Sequence, residues 1–290
     1  MKIRLSKPVK TAIKIVLSLA ALLFVFTKID IEEVLAIYRK SNLLYVLIAV
    51  LLFTLSKFIA ALRLNRFFAS IGIKLSESYN LRLYLLGMFY NLFLPGGIGG
   101  DGYKIYLLNK KHDVKAGKIF WAVFHDRLSG VLALFCLAVI LSLFITINIP
   151  FDYKKWMWLL VPLAISLLYF LLRKFWDYFS RIYPRTTSYS FMVQLIQTLC
   201  AFFIFRAIGG SNDVAGYLFI FLISSIVAMM PITIGGVGSR EITFLYGSMW
   251  MGLDENLSIA MSLMFYLITA FVSFFGLFYS IRGRWEDEER

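Results

Sequence analysis

The sequence predicts an all-α, polytopic membrane protein in which about six helices span the bilayer and two glycine-rich segments form re-entrant hairpins. Of the 290 residues, 60% are hydrophobic and only 16% are charged, whereas soluble domains carry about 25% charged and 45–50% apolar residues. A second observation is a series of long apolar runs separated by short basic links. So little polar surface cannot cover a water-soluble core, and the same figures exclude disorder and a secreted disulfide scaffold.

The charge of the chain fits the same class. The net charge of +13 comes from 30 Lys and Arg against 17 Asp and Glu. Most of the cations lie in the links between apolar runs, which is the positive-inside pattern of cytoplasmic loops. The basic balance therefore indicates an anionic membrane surface as partner and no nucleic acid. Cys136 and Cys200 lie in apolar runs, and we expect both to be small buried hydrophobes.

The first elements are two spans and a short helix between them. Thr11–Lys28 is a predicted first span with a cytoplasmic N-terminus, because no small-residue cleavage site follows its apolar run. Mixed charges around Ile31 and Leu35 predict a short helix in the outer interface. Leu43–Leu62 has the roughly 20 apolar residues that a span needs, and it returns to a cytoplasmic Arg63.

The next segment is too short to cross the membrane in one piece. Leu81–Leu94 is only about half a crossing, and it stops at a glycine-rich loop over residues 95–102. Tyr103–Leu108 then runs into a cluster of lysines. Because cations flank both ends, we predict a re-entrant hairpin that enters and leaves on the cytoplasmic side.

Four further spans and a second broken segment follow. The broken segment runs from Val214–Met230 through a glycine-rich loop into Arg240–Leu253, and it lacks a basic cluster, so we predict that it enters from outside. Both termini are then cytoplasmic. If each broken segment were instead a full crossing, the basic cluster at residues 104–118 would lie outside. The predicted spans are Leu128–Ile147, Trp156–Leu172, Phe191–Ile208 and Leu257–Ile281.

The two glycine-rich loops share one pattern at an offset of 136 residues. Both read Pro-x-x-Ile-Gly-Gly-x-Gly, beginning at the hinge residues Pro95 and Pro231. Within a single transmembrane domain over residues 1–290, this predicts two repeats, at about 43–147 and 191–281. Hairpins that enter from opposite faces make the repeat inverted. Many secondary transporters have this architecture, with the substrate near the midplane at the repeat interface.

Irregular backbone within the membrane predicts a wet cavity, since elsewhere its polar groups would be unsatisfied. The N-terminus of a half-helix after each loop attracts phosphate or carboxylate, and Asp101 and Ser239 are placed to cap these ends. We expect Arg127 and Arg240 to bind phosphate, with Asp126 and Glu241 as their partners in the empty site.

Eight charged residues fall in or beside the apolar segments, with five cations against three anions. An anionic substrate would balance this surplus, although such pairs can also simply join helices. The side chains of Lys57 and Arg206 can alternatively reach the membrane interface. His125 is interpreted as an interfacial residue whose hydrogen bonds are satisfied. Asn91 can bond freed backbone carbonyls or contact substrate. We predict no catalytic residue, cofactor or metal, and the following substrate-binding residues: Asn91, Gly97, Gly99, Gly100, Asp101, Lys104, Asp126, Arg127, Gly235, Gly236, Gly238, Ser239, Arg240 and Glu241.

Three motifs carry a resemblance to a known family: the run from Asn91 to Asp101, the Asp126-Arg127-Leu-Ser-Gly sequence and the run from Pro231 to Glu241. Over about residues 10 to 282 the chain resembles the lysylphosphatidylglycerol synthase transmembrane-region family. This flippase-like family forms the membrane half of the bacterial multiple peptide resistance factor.

The chain departs from the family pattern in three respects. Family members often carry Arg shortly after the Gly-Gly-Asp, where this chain has Lys104, and His125 stands where an acidic residue is expected. No soluble aminoacyltransferase domain follows within the 290 residues. We therefore expect no lipid lysinylation by this polypeptide alone.

The resemblance implies a lipid flippase in the cytoplasmic membrane of a bacterium or archaeon. Its substrate would be an anionic or aminoacylated phospholipid, or a sugar linked to lipid through polyprenyl phosphate. A membrane-embedded transferase and a non-catalytic partner of a glycosyl- or aminoacyltransferase are the alternatives. A lipid-modifying enzyme and a second copy of the chain stay open as protein partners.

Overall fold

The computed structural model describes residues 31–93, 99–145, 154–230 and 238–281. Within these ranges the chain forms α-helices and no strand. The helices are α1 (Ile31–Arg39), α2 (Leu43–Ser70), α3 (Glu77–Phe93), α4 (Gly99–Lys111), α5 (Ala116–Ser142), α6 (Lys154–Phe175), α7 (Asp177–Ser180), α8 (Tyr183–Ala207), α9 (Val214–Met229), α10 (Ser239–Met251) and α11 (Glu255–Ile281).

Five of these helices are long and apolar enough to cross a membrane: α2, α5, α8, α11 and the Trp156–Phe175 part of α6. This confirms the predicted polytopic all-α class. Two helices extend well beyond their predicted spans. α2 continues past Leu62 to Ser70, and α5 begins at Ala116 rather than at Leu128, so residues 63, 126 and 127 lie inside helices. The predicted first span, Thr11–Lys28, lies outside the described residues.

The short helix α1 forms where the sequence predicts it and is held against α11. The Tyr38 hydroxyl donates to the carbonyl oxygen of Ala260 at 2.8 Å, and the Asn256 amide donates to the Glu33 carboxylate at 2.6 Å. Val34 is buried, whereas Ile31 is exposed. This amphipathic arrangement suits a helix in the membrane interface.

The first broken segment doubles back on itself. The Asn91 side chain bonds the backbone of Gly100, while Lys104 reaches back to the Tyr84 ring, so α4 runs antiparallel to α3. In a straight helix, Gly87 and Gly100 would stand about 20 Å apart. Their backbones instead touch, because a Cβ added to Gly100 would overlap the carbonyl group of Gly87.

The second broken segment has the same shape. A Cβ added to Gly247 would lie 3.0 Å from Ile220, and one added to Gly216 would lie 3.1 Å from Leu253. Later residues of α10 therefore meet earlier residues of α9, and these two helices are antiparallel as well. The loops between the arms, residues 94–98 and 231–237, lie outside the described residues, and so do Pro95, Gly97, Pro231, Gly235 and Gly236.

The helices of the two halves of the chain pack against each other in a reciprocal way. α3 packs against α11, α9 packs against α5, and α2 packs against α8. Exchanging the first half with the second half turns the α3–α11 contact into the α9–α5 contact and leaves the α2–α8 contact unchanged. The predicted repeat boundaries stay a prediction.

An aromatic cluster in the core lies where the halves meet. Phe53 of α2 and Phe265 of α11 have ring centroids 5.5 Å apart, and Phe221 of α9 lies 4.9 Å from Phe265. Cys136 and Cys200 are both free thiols and both buried, as the sequence predicts. The aromatic cluster forms part of the support for the site described next.

Candidate functional site

A cavity of about 260 Å³ lies between the two halves of the chain. All the helices except α1, α6 and α7 contribute to its wall, which brings residues that are distant in the sequence to one place. The wall contains five cations and two carboxylates, a formal charge of +3. The predicted surplus of positive charge is therefore present in the wall. Its charged residues are Lys57, Arg63, Asp101, Lys104, Asp126, Arg127 and Arg240.

Asp101 is the centre of the charged group on the first half. Its carboxylate accepts a hydrogen bond from the Lys104 ammonium at 3.2 Å and a short one from Nε of Arg127. Asp101 and Lys104 are buried, and the Lys104 ammonium lies 4.8 Å from the centroid of the Tyr84 ring. Asp101 thus binds two cations, and the three groups carry a formal charge of +1. Its predicted role as a cap of α4 stays a prediction, because the residues directly before Gly99 lie outside the described residues.

Asp126 forms a buried ion pair that the sequence analysis did not predict. Arg63 donates from Nε to one carboxylate oxygen of Asp126 at 2.7 Å and from Nη2 to the other at 3.2 Å. Its Nη1 donates to the Ser190 hydroxyl at 2.9 Å. The expectation that Asp126 serves Arg127 is therefore wrong, because the packing of α2 on α5 and α8 supplies Arg63 instead.

Arg240 and Lys57 face the cavity without a carboxylate partner in the described part of the chain. Nη1 of Arg240 is buried and makes no hydrogen bond. The guanidinium lies 4.7 Å from the centroid of Phe265, and the Lys57 ammonium lies 4.4 Å from that of Phe53. A cation–π contact contributes about 0.5–2 kcal/mol, whereas removing an ion from water costs several kcal/mol. The rings alone do not offset this cost, and no carboxylate in the described residues forms an ion pair with either cation. Glu241 attracts Arg240 from a position where its own carboxylate is hydrogen-bonded to Gly238.

Glu241 does not pair with Arg240 as predicted. Its carboxylate accepts from the backbone N–H of Gly238 at 2.7 Å and from the Ser262 hydroxyl at 2.9 Å. Gly238 is the N-cap of α10 and has a φ of +83°, which favours glycine. Glu241, rather than the predicted Ser239, thus forms the cap at this N–H, since its side chain reaches back three residues.

Asn91 has the corresponding role at the start of α4. Its side-chain oxygen accepts from the N–H of Gly100 at 2.8 Å. The sequence analysis considered bonds to backbone carbonyls or a contact with substrate for Asn91, and this bond to the N–H of Gly100 is a role that it did not predict. Gly99 and Gly100 form the first turn of α4, and Gly100 is needed there because of its contact with Gly87.

Two other residues lie away from the cavity. Arg206 is exposed near the end of α8 and donates to the carbonyl oxygen of Gly210 at 3.1 Å. His125 contacts the carbonyl oxygen of Trp121 through Nδ1 at 2.7 Å, and it packs between Trp176 and Phe179. Neither side chain lines the cavity, which favours the structural interpretation of both.

Arg63 was missed because the predicted span ended at the first arginine. Lys57, Ala60 and Arg63 follow each other at three-residue spacing, which keeps them along one side of a helix, and all three line the cavity. The same signal was present on α8, where Gln194 and Gln197 also line the wall. Polar residues at helical spacing inside a predicted span would have identified both helices as cavity walls.

The lining residues recur along the chain at a nearly constant separation. Positions separated by 136 to 139 residues occupy corresponding places in the two halves, and α5 and α11 both contain 27 residues. The recurring pairs are Lys57 with Gln194, Ala60 with Gln197, Met88 with Ser225, Asn91 with Ala228, Lys104 with Arg240, Asp126 with Phe265, and Gly130 with Thr269.

The family model described as the lysylphosphatidylglycerol synthase TM region matches residues 11–187 and 179–276. The chain belongs to this family. A UPF0104 membrane protein of Pyrococcus horikoshii is 22% identical to it, over 91% of this chain and 94% of that protein. Membership of the family indicates a role related to membrane lipid.

The motifs that carried the family resemblance meet at the cavity. Asp101, Arg127 and Arg240 come from three different motifs, and all three line the wall. Lys104, which stands where members of the family often carry Arg, is a cation in the same wall. Lys in place of Arg at this position therefore keeps the positive charge.

Proposed function

We propose that the protein moves a lipid with an anionic, phosphate-bearing head group between the leaflets of the cytoplasmic membrane. The observation that carries this proposal is the cavity with a formal charge of +3 between two halves made of apolar helices. A charged side chain in the membrane interior costs about 2.5–3.5 kcal/mol on insertion scales. An anionic head group in the cavity supplies counter-charge for the cations that form no ion pair within the described residues.

The head group is bound by side chains in this proposal. The N–H groups of Gly100 and Gly238, at the starts of α4 and α10, already donate to Asn91 and Glu241. Arg127 and Arg240 present guanidinium groups, which match the oxygens of phosphate better than an ammonium group does. The side chain of Arg127 is 28% exposed, so it is accessible to a head group.

Movement between the leaflets follows from the inverted repeat that we propose for the two halves. The reciprocal packing of the helices, the recurring lining positions and the two antiparallel hairpins support this arrangement. With the hairpins entering from opposite faces and both termini cytoplasmic, rocking of one half against the other would open the cavity to each leaflet in turn.

A leaflet-accessibility assay on reconstituted vesicles tests the proposal. Vesicles with a fluorescent anionic phospholipid are treated with a membrane-impermeant quencher, and the rate at which the inner-leaflet lipid becomes accessible is measured. We expect Arg240→Ala and Asp101→Ala to slow this rate by about tenfold or more, which corresponds to about 1.4 kcal/mol. Arg206→Ala is the matched control, because Arg206 lies outside the cavity. Wild-type rates for folded Arg240→Ala and Asp101→Ala would contradict the proposal.

A further inference from the structure

We infer that the head group bound in the cavity carries at least two negative charges, as a phosphomonoester or a diphosphate does, and that Lys57 and Arg240 together bind the second charge. This inference rests on the proposed function and narrows its substrate class.

The charges in the wall divide into three groups. Arg63 and Asp126 cancel each other in a bidentate ion pair. Asp101 faces both Lys104 and Arg127, which leaves one positive charge. Lys57 and Arg240 add two more, and neither forms an ion pair in the described ranges. The Glu241 carboxylate, which is hydrogen-bonded to Gly238 and Ser262, attracts Arg240 and offsets one of these three charges. A phosphodiester carries one negative charge and would leave one of the remaining two charges unbalanced.

Lys57 and Arg240 form one subsite because neighbouring rings support them. Lys57 lies over Phe53 and Arg240 over Phe265, and the centroids of these two rings are 5.5 Å apart. Two like charges over neighbouring rings repel each other, and an anion between them would offset this repulsion. Nη1 of Arg240 is a donor that still lacks an acceptor.

The sequence explains why this subsite has no internal acid. Lys104 and Arg240 are corresponding positions, 136 residues apart. The position that corresponds to Asp101 in the second half is Val237. Lys104 therefore has a carboxylate three residues before it, whereas Arg240 has an apolar residue there. Glu241 is directed to the cap of its own helix.

Equilibrium binding to the purified full-length protein in mild detergent tests the inference. The probes are phosphatidic acid, a phosphomonoester lipid, and phosphatidylglycerol, a phosphodiester lipid with the same acyl chains. The second pKa of a phosphomonoester is about 6, so phosphatidic acid is close to dianionic at pH 8. We expect it to bind about tenfold more tightly than phosphatidylglycerol at this pH. At pH 5 the preference is lost, because phosphatidic acid then carries about one charge.

Variants of Lys57 and Arg240 test whether these side chains bind the second negative charge of the head group. Lys57→Gln and Arg240→Gln are each expected to bring the two lipids to within about threefold of each other, while Arg240→Lys keeps most of the preference because it keeps the charge. Arg206→Gln removes a cation outside the cavity and is expected to leave the preference unchanged. Thermal unfolding of each variant, measured in parallel, shows that it is folded.

The outcomes separate this inference from the proposed function. Equal binding of the two lipids to the wild type, or a preference that survives Lys57→Gln and Arg240→Gln, would overturn the inference alone. Absence of binding by any anionic lipid would overturn the proposed function as well. Inorganic pyrophosphate, as a soluble competitor, is expected to bind about tenfold more weakly than phosphatidic acid. Tighter binding of pyrophosphate would overturn the assignment to a lipid.

Discussion

The two broken segments are built alike and differ in their electrostatics. In the first, the cation Lys104 pairs with Asp101, and Asp101 also binds Arg127. In the second, the corresponding cation Arg240 lies against Phe265 with a donor atom unsatisfied. In the first copy the carboxylate is hydrogen-bonded to the cation, whereas in the second the Glu241 carboxylate is hydrogen-bonded to the backbone of Gly238 and Arg240 has no ion-pair partner in the described residues.

The difference separates two roles for buried charge. Breaking a buried ion pair leaves one charge uncompensated and destabilises a fold, whereas a cation without a partner already carries that cost in the folded state. Variants in the paired and unpaired groups should therefore affect stability in opposite ways. Each variant below is therefore compared with a second variant or a second site in the protein.

The largest expected effect is that of Asp126→Asn. It leaves the buried Arg63 without its carboxylate, and loss of one partner of a buried pair costs about 3–5 kcal/mol. Thermal and denaturant unfolding in detergent measure the loss, with Asp177→Asn in α7 as the control, because the pair of Asp177 with Arg181 lies on the surface. A loss of less than about 1 kcal/mol would show that the pair in the first half does not stabilise the fold.

Gly100→Ala tests the contact between the arms of the first hairpin. The added Cβ overlaps the carbonyl group of Gly87, and overpacking of this kind costs about 1–3 kcal/mol. Gly102→Ala is the matched control, since a Cβ there meets nothing within 4 Å. Equal unfolding temperatures for the two variants would mean that α3 and α4 do not touch at these residues.

Arg240→Gln is expected to separate activity from stability. Because no carboxylate in the described residues forms an ion pair with the guanidinium, its removal should leave the unfolding temperature unchanged or raise it. The rate of lipid movement should nevertheless fall by about tenfold. If Arg240→Gln lowered stability as much as Asp126→Asn does, the cation would have a structural partner, and the contrast between the halves would fail.

Asn91→Ala has the smallest expected effect. It removes the acceptor for the N–H of Gly100, and loss of a side-chain cap costs about 1 kcal/mol. Hydrogen exchange should show faster opening at the start of α4, with no change at the start of α10, where Glu241 is the cap. Equally faster hydrogen exchange at the starts of α4 and α10 would show that the two caps are not independent.

Composition and hydropathy were sufficient to predict the fold class and most of the helices, because an apolar run of about 20 residues has few other structures available. The candidate charges were also predictable, since a charge within a span is costly and indicates a site. Arg240 and Arg127 were predicted on this basis, and both line the cavity. The roles of Gly97, Gly235 and Gly236 stay predictions, as these residues lie outside the described ranges.

The partners of these charges could not be read from the sequence. Asp126 lies beside Arg127 in the chain and yet pairs with Arg63, which is 63 residues away. Proximity in sequence predicted the wrong partner because consecutive residues on a helix point in different directions. The end of α2 was misplaced for a related reason: a helix ends where its backbone hydrogen bonds end, and the first charged residue marks no such point.

Mass spectrometry of the lipids retained by the protein after purification in mild detergent tests the central claim most directly. If the cavity binds an anionic head group, wild-type protein will be enriched in a phosphate-bearing anionic lipid relative to the source membrane. The enrichment will be lost in Arg240→Gln and kept in Arg206→Gln. Retained lipid that mirrors the bulk membrane, with the same composition in all three proteins, would contradict a cavity built for a negative charge.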